Sequence, residues 1–277
     1  MLGVSQMGAT LNALLLLGWM ERQDAVECLT KGCLFDSPLD EAQAEAKWNE
    51  YRGRVQALPE RNPPPPTRFP VPAGSKGHVT DFLRRFKQPG TDVVDVINVN
   101  PMDLSIHQFY VVTDRADEHY NRPLSWARKT LVLDRPVCQL PARMEDGAIK
   151  FTLPHGEHMF GFQNGWFQIQ QGAGFVSVVD LGGGKLLLKA GYHRSFAFAR
   201  AAVNEPEAKD KCELVALTTT LPPQLEVAFP HQGLRTIVFG SRAPLLSDFF
   251  DPDLAMTVRL RRKKYEAHLR TVEIYDP

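Results

Sequence analysis

The residues Gly191-Tyr192-His193-Arg194-Ser195 follow the apolar run Leu186-Leu187-Leu188-Lys189-Ala190 and precede a small-residue helix read over Ser195–Val203. A strand that turns through glycine into a helix, with His and Arg at the turn, makes an anion-binding corner. Glycine lets the backbone approach a ligand closely, the first helical N–H groups lack intrahelical partners, and the helix dipole favours negative charge there. Phosphate suits such a corner. The bland alternative is a turn with no ligand, in which His193 caps the helix and Arg194 pairs with Glu213 or Asp180.

Other residues with chemical potential are weaker. His155-Gly156-Glu157-His158 carries two imidazoles and a carboxylate, but Gly156 interrupts the helix that would align them and no third ligand is evident, so no metal site is assigned. Gly182-Gly183-Gly184 precedes a strand rather than a helix, and no Lys-Ser or Lys-Thr follows, which reads as a hairpin turn rather than a phosphate loop. Arg259, Arg261, Arg262, Lys263 and Lys264 form the strongest local charge feature, fit either for nucleic-acid phosphates or for a charged edge strand protected from aggregation. Asp248, Asp251 and Asp253 precede that run and suit pairing with it or capping turns. No nucleophile elbow or identifiable pair of catalytic carboxylates is present.

The elements that must position the corner divide the chain. Met7, Leu11, Leu14, Leu15 and Trp19 fall at helical spacing, as do Ala25, Val26 and Leu29. Ser37-Pro38 reads as the start of a third helix whose apolar face is Ala44, Trp48, Tyr51, Val55 and Leu58, a small core or a surface for a protein partner. Residues 1–58 are thus expected to be a helical segment. The proline-rich stretch 59–73 denies backbone donors and is expected to be an extended linker. Residues 74–277 are expected to be an α+β domain with a mixed sheet and packed helices. They include a helix at His78–Lys87, strands at Val93–Val99 and Phe109–Val112, and an insertion at about 114–165 with strand candidates Leu131–Leu133 and Ile149–Leu153. A hairpin of Phe175–Leu181 and Lys185–Ala190, a strand at Glu213–Thr218 and closing strands in Asp251–Tyr275 complete it.

Composition narrows the classes. Lys plus Arg and Asp plus Glu each number 32 in 277 residues, and the pI near 7.1 gives no generally basic surface for nucleic acid. Four scattered cysteines do not read as a disulfide framework, Leu11–Met20 is too short for a membrane span, and it lacks the basic leader and small-residue cleavage site of a secretion signal, so a cytoplasmic protein without membrane attachment is expected.

The order hairpin, Gly-Tyr-His-Arg, buried helix, strand over residues 174–220 resembles the second box of the ParB/sulfiredoxin superfamily, in which a Gly-x-(His or Arg)-Arg turn joins a hairpin to an alanine-rich helix. Val96-Ile97-Asn98-Val99-Asn100-Pro101-Met102-Asp103-Leu104 with Gln108 is similar to the first box. The resemblance implies a nucleotide-binding fold in which Gly191 allows close approach, His193 and Arg194 contact phosphate oxygens and Ser195 adds a hydroxyl. Mg²⁺ would accompany a nucleoside triphosphate, and slow hydrolysis or phosphoryl transfer is implied. Tyr192 stands where sulfiredoxins carry their cysteine, and a phenol does not replace a thiolate nucleophile, so sulfiredoxin activity is not expected. No helix-turn-helix is read between Thr220 and Pro277, which speaks against centromere binding. Two other classes stay open: a DNA-associated binding protein or nuclease using the C-terminal basic strand, and a non-catalytic interaction protein.

Overall fold

The computed structural model describes residues 10–60, 65–71, 73, 93–114, 116, 142–145, 148–153, 158–163, 166–171, 176–204, 214–219, 232–261 and 265–270. In chain order these form β1 (Thr10–Leu15), α1 (Arg22–Glu27), β2 (Cys33–Leu34), α2 (Glu41–Ala57), β3 (Arg68–Phe69), β4 (Val93–Val99), β5 (Tyr110–Val112), β6 (Ala142–Glu145), β7 (Ala148–Leu153), β8 (His158–Gln163) and β9 (Trp166–Gln171). There follow β10 (Ser177–Gly182), β11 (Lys185–Ala190), α3 (Tyr192–Asn204), β12 (Leu214–Thr219), α4 (Gln232–Phe239), β13 (Met256–Arg261) and β14 (Tyr265–Arg270). The protein is therefore of mixed α+β class. The helix expected at His78–Lys87 and the strand at Leu131–Leu133 lie outside the described residues.

The chain divides into two compact units, one of residues 1–132 and 174–261, the other of residues 133–173 and 262–277. In the second unit β14, β7 and β6 form an antiparallel sheet in that order, and β8 pairs with β9. The first unit holds two sheets. One is antiparallel with the order β2-β13-β1-β5, and the other has the order β11-β10-β12-β4-β3, with β10 and β12 parallel and the other neighbours antiparallel.

The first strand corrects the expected helix. Leu11, Ala13 and Leu15 alternate onto one buried face beside Val258 and Cys33, while Asn12 faces solvent. A short leucine-rich run satisfies helical and strand spacing alike, and pairing with β13 over its whole length decides for the strand. Helix α2 has the expected apolar face, with Ala44, Tyr51 and Val55 buried, but a different start. Its N-cap is Asp40 rather than Ser37: the Asp40 carboxylate accepts from the Gln43 N–H at 2.8 Å while the Gln43 side chain accepts from the Asp40 N–H at 3.0 Å. That reciprocal box satisfies two otherwise orphaned donors. Cys28 and Cys33 are free thiols 3.6 Å apart; the hydrogen bond between them, together with burial, pushes the Cys33 thiol above the ordinary range.

Within the proline-rich stretch, Arg68–Phe69 lies on β4 as an edge strand, the sheet position prolines tolerate in their neighbourhood. The Asn98 amide donates to Pro70 O at 3.0 Å and the Asn100 N–H to Thr67 O at 2.9 Å, so this extended segment is tied to the sheet.

The five-stranded sheet has helices on both faces. Val178, Leu186 and Leu188 share the core with Phe196 of α3, whereas Val179 and Leu187 pack with Val238 of α4. Phe196 stacks on Phe250 at 4.8 Å between ring centroids and meets Phe249 edge-on at 6.0 Å. The expected hairpin turn is present: Gly183 and Gly184 connect β10 to β11 with φ of 61° and 80°, a left-handed pair suited to glycine.

Candidate functional site

The corner at the start of α3 forms as the sequence implies, between the end of β11 and a buried helix. Gly191 has φ of 92°, and a Cβ placed there would lie 2.8 Å from Val176 Cγ2 and 3.0 Å from Val176 Cα. Both the backbone conformation and the contact with β10's approach demand glycine.

The side chains divide into two groups. Tyr192 points inward and is buried; its hydroxyl donates to Leu188 O at 2.6 Å and accepts from the N–H groups of His107 at 3.1 Å and Gln108 at 3.3 Å. Burial pushes this phenol well above its ordinary range, while those two donors act in the opposite direction. Ser195 is fully buried, and its Oγ donates to Gly191 O at 3.1 Å, the carbonyl that also accepts from the Ser195 N–H at 2.9 Å. The Ser195 hydroxyl, expected to face a ligand, is thus turned back onto the helix start. His193 is half-buried with Nε2 shut off from solvent, and Arg194 is only 8% exposed. The first turn of α3 holds these two basic residues and no acidic one.

The segment from β4 to Gln108 meets the start of α3 here. β4 leads into a 3₁₀ turn at Pro101–Asp103, where the Asn100 side chain accepts from the Met102 N–H at 3.0 Å. The chain then runs beside β11: the Ser105 N–H donates to Leu186 O at 2.9 Å and the Leu188 N–H to Ser105 O at 2.8 Å. Tyr192 closes the junction through residues 107 and 108. His107, which no sequence motif singles out, meets the Tyr192 ring edge-on at 5.7 Å. Burial lowers the His107 imidazole below its ordinary value, against an opposing hydrogen bond with the Lys189 backbone. Only its neighbourhood to the first box, through Gln108, could have drawn attention to it.

The basic run is placed differently from expectation. Arg259 and Arg261 lie on the exposed face of β13, but β13 is no edge: it pairs with β1 on one side and with β2 on the other. Arg259 approaches Asp36 at 3.6 Å, and Asn12, the partner of Arg259 across the strands, binds Asp114 through its backbone and side chain at 2.9 Å each. Acidic groups therefore stand in that row. Arg262, Lys263 and Lys264 lie outside the described residues, as do His155, Gly156 and Glu157, while His158 begins β8. Among the described residues no group of three His, Cys, Asp or Glu side chains is placed to hold a metal, and no helix is long and apolar enough to cross a membrane. Asp248 and Asp251 cap turns, accepting from the Leu245 and Asp253 N–H groups at 2.8 Å each.

No protein-family model, curated protein or solved structure matches the chain.

Proposed function

We propose that the chain binds a nucleoside triphosphate in the manner of ParB-like proteins, with the phosphates at the first turn of α3. The observation that carries this reading is the pair His193 and Arg194 at the positive end of a helix whose first turn contains no acid. The helix dipole favours an anion at that end, and basic side chains on the first turn favour it further. Gly191 lets the chain turn into α3 against Val176, and Tyr192 and Ser195 serve by fixing the corner rather than by touching phosphate. Mg²⁺ accompanies the triphosphate because its charge needs a counterion. Slow hydrolysis or phosphoryl transfer belongs to the same reading, without an assigned general base.

The test is equilibrium binding of labelled ATP, CTP and GTP with and without Mg²⁺. Saturable binding of at least one is expected, and loss of a charge-assisted phosphate contact in His193→Ala or Arg194→Met weakens it roughly tenfold or more. Absence of binding to all three rejects the function; equal affinity in both variants rejects the site. The DNA-associated reading through Arg259 and Arg261 is less favoured, because Arg259 already approaches the Asp36 carboxylate.

A further inference from the structure

A cavity of about 270 Å³ opens between the C-terminal turns of α2 and α4, distinct from the α3 corner. Arg52 and Arg242 line it, and among the described residues no Asp or Glu does. Among the described residues neither arginine pairs with an acid. Each is instead held by a backbone carbonyl: Arg52 Nη1 donates to Gly18 O at 3.0 Å, and Arg242 Nε donates to Leu58 O at 2.8 Å. The Arg242 carbonyl in turn accepts from the Trp19 indole at 2.9 Å, which fixes the segment that carries it.

Those anchors use one N–H of each guanidinium. An arginine has five, so several donors per side chain remain for another acceptor. One role of Arg242 is plainly to cap the end of α2, but that role needs only its Nε. The remaining wall is largely apolar, from Trp19, Val55, Ile237 and Gly240 with Thr236 beside them, and Gln56 and Ser241 are exposed. Two pre-oriented cations beside an apolar wall, in a concavity below the size of most drug sites, select a small ligand with a charged head and a compact apolar body.

We propose that this cavity binds a small organic anion, a carboxylate or phosphate carried on a compact apolar group, with Arg52 and Arg242 taking the anionic head. The proposal is independent of nucleotide binding at α3.

The test titrates the full chain with benzoate and with phenyl phosphate, using inorganic phosphate as the head group alone, and follows tryptophan fluorescence and thermal stabilisation. Saturable binding of benzoate or phenyl phosphate is expected, and the tighter of the two identifies the head group. Arg52→Gln removes one cation. Gln56→Glu, at an exposed lining position, places a competing carboxylate beside both cations while leaving the core and both anchors intact. Each variant is expected to raise the dissociation constant about tenfold or more, the loss typical of one charged contact. Arg194→Met, at the other site, is expected to leave the affinity for benzoate, which carries no phosphate, unchanged. The proposal fails if neither organic probe binds, if Gln56→Glu binds them as the wild type does, or if inorganic phosphate binds as tightly as phenyl phosphate.

Discussion

Tyr192 shows how one residue can be noticed for the wrong chemistry. Its position in the Gly-Tyr-His-Arg turn draws attention as the place where sulfiredoxins, which the sequence pattern resembles, carry a nucleophile, yet its hydroxyl joins three backbone groups from two segments. In Tyr192→Phe, Leu188 O and the N–H groups of His107 and Gln108 lose that partner in a buried place, and the expected cost is about 1–3 kcal/mol. Urea denaturation of the two proteins measures it; an unchanged midpoint would show that water or rearrangement replaces the hydroxyl at no cost. His107, beside it, gives a pH signature. Burial holds the folded-state value below the ordinary 6.5, so as pH falls through that value the unfolded chain takes up a proton that the folded chain resists. The contribution of His107 to stability is fully present above about pH 6.5 and declines below it. Denaturation at pH 7.5 and pH 5 should therefore show a smaller acid loss in His107→Gln than in the wild type, and equal losses would remove His107 as a cause. The glycine and the basic pair were legible in the sequence because local rules govern a strand-to-helix turn. His107 was not, because its significance comes from contact with a residue distant in the chain.

At the scale of elements, local signals succeeded where two features agreed. β4 was expected over Val93–Val99 and is found there, and the triple glycine correctly marked the β10–β11 turn. The start of α2 was misplaced because Ser37-Pro38 and Asp40-Glu41 are both credible helix starts. The choice depends on which cap closes with its N3 partner, and only Asp40 has Gln43 at that distance. Asp40→Ala opens the box and is expected to destabilise by about 1 kcal/mol, within the range of N-cap substitutions. Thermal unfolding checks this, and Asp40→Ser, which keeps an acceptor at the cap, should recover most of the loss. A full loss in the serine variant would assign the effect to something other than capping. The β1 error has a different source. Leu11, Leu14 and Leu15 suit a helix face, but Leu11, Ala13 and Leu15 equally suit a strand face, and the deciding partner, β13, lies at the far end of the sequence.

That long-range pairing governs the molecule as a whole. Residues near the start and near residue 260 form adjacent strands in the middle of one sheet, and β1 has β13 on one side and β5 on the other. Sequence composition marks the proline-rich stretch as a boundary, whereas β3 within it is laid on β4 and the preceding segment delivers Leu15, Leu16, Leu17 and Trp19, none more than 1% exposed, to the interior. Burying a large apolar side chain contributes roughly 1.5–3 kcal/mol, so these four alone are worth about as much as the 5–15 kcal/mol net stability of an ordinary domain. Removing residues 1–58 would also leave β13 and β5 without the strand between them and the Trp19 site of Arg242 empty. The shortened chain is therefore expected to lose cooperative unfolding of the first unit and to expose apolar surface. Near-ultraviolet circular dichroism, dye binding and a denaturant titration read these changes. A sharp transition with native-like aromatic signal in the shortened chain would mean that the sheet holds without β1. The milder substitution Ala13→Asp tests the same dependence with the chain intact: it places a charge on the buried face of β1, where no partner awaits it, and is expected to cost several kcal/mol.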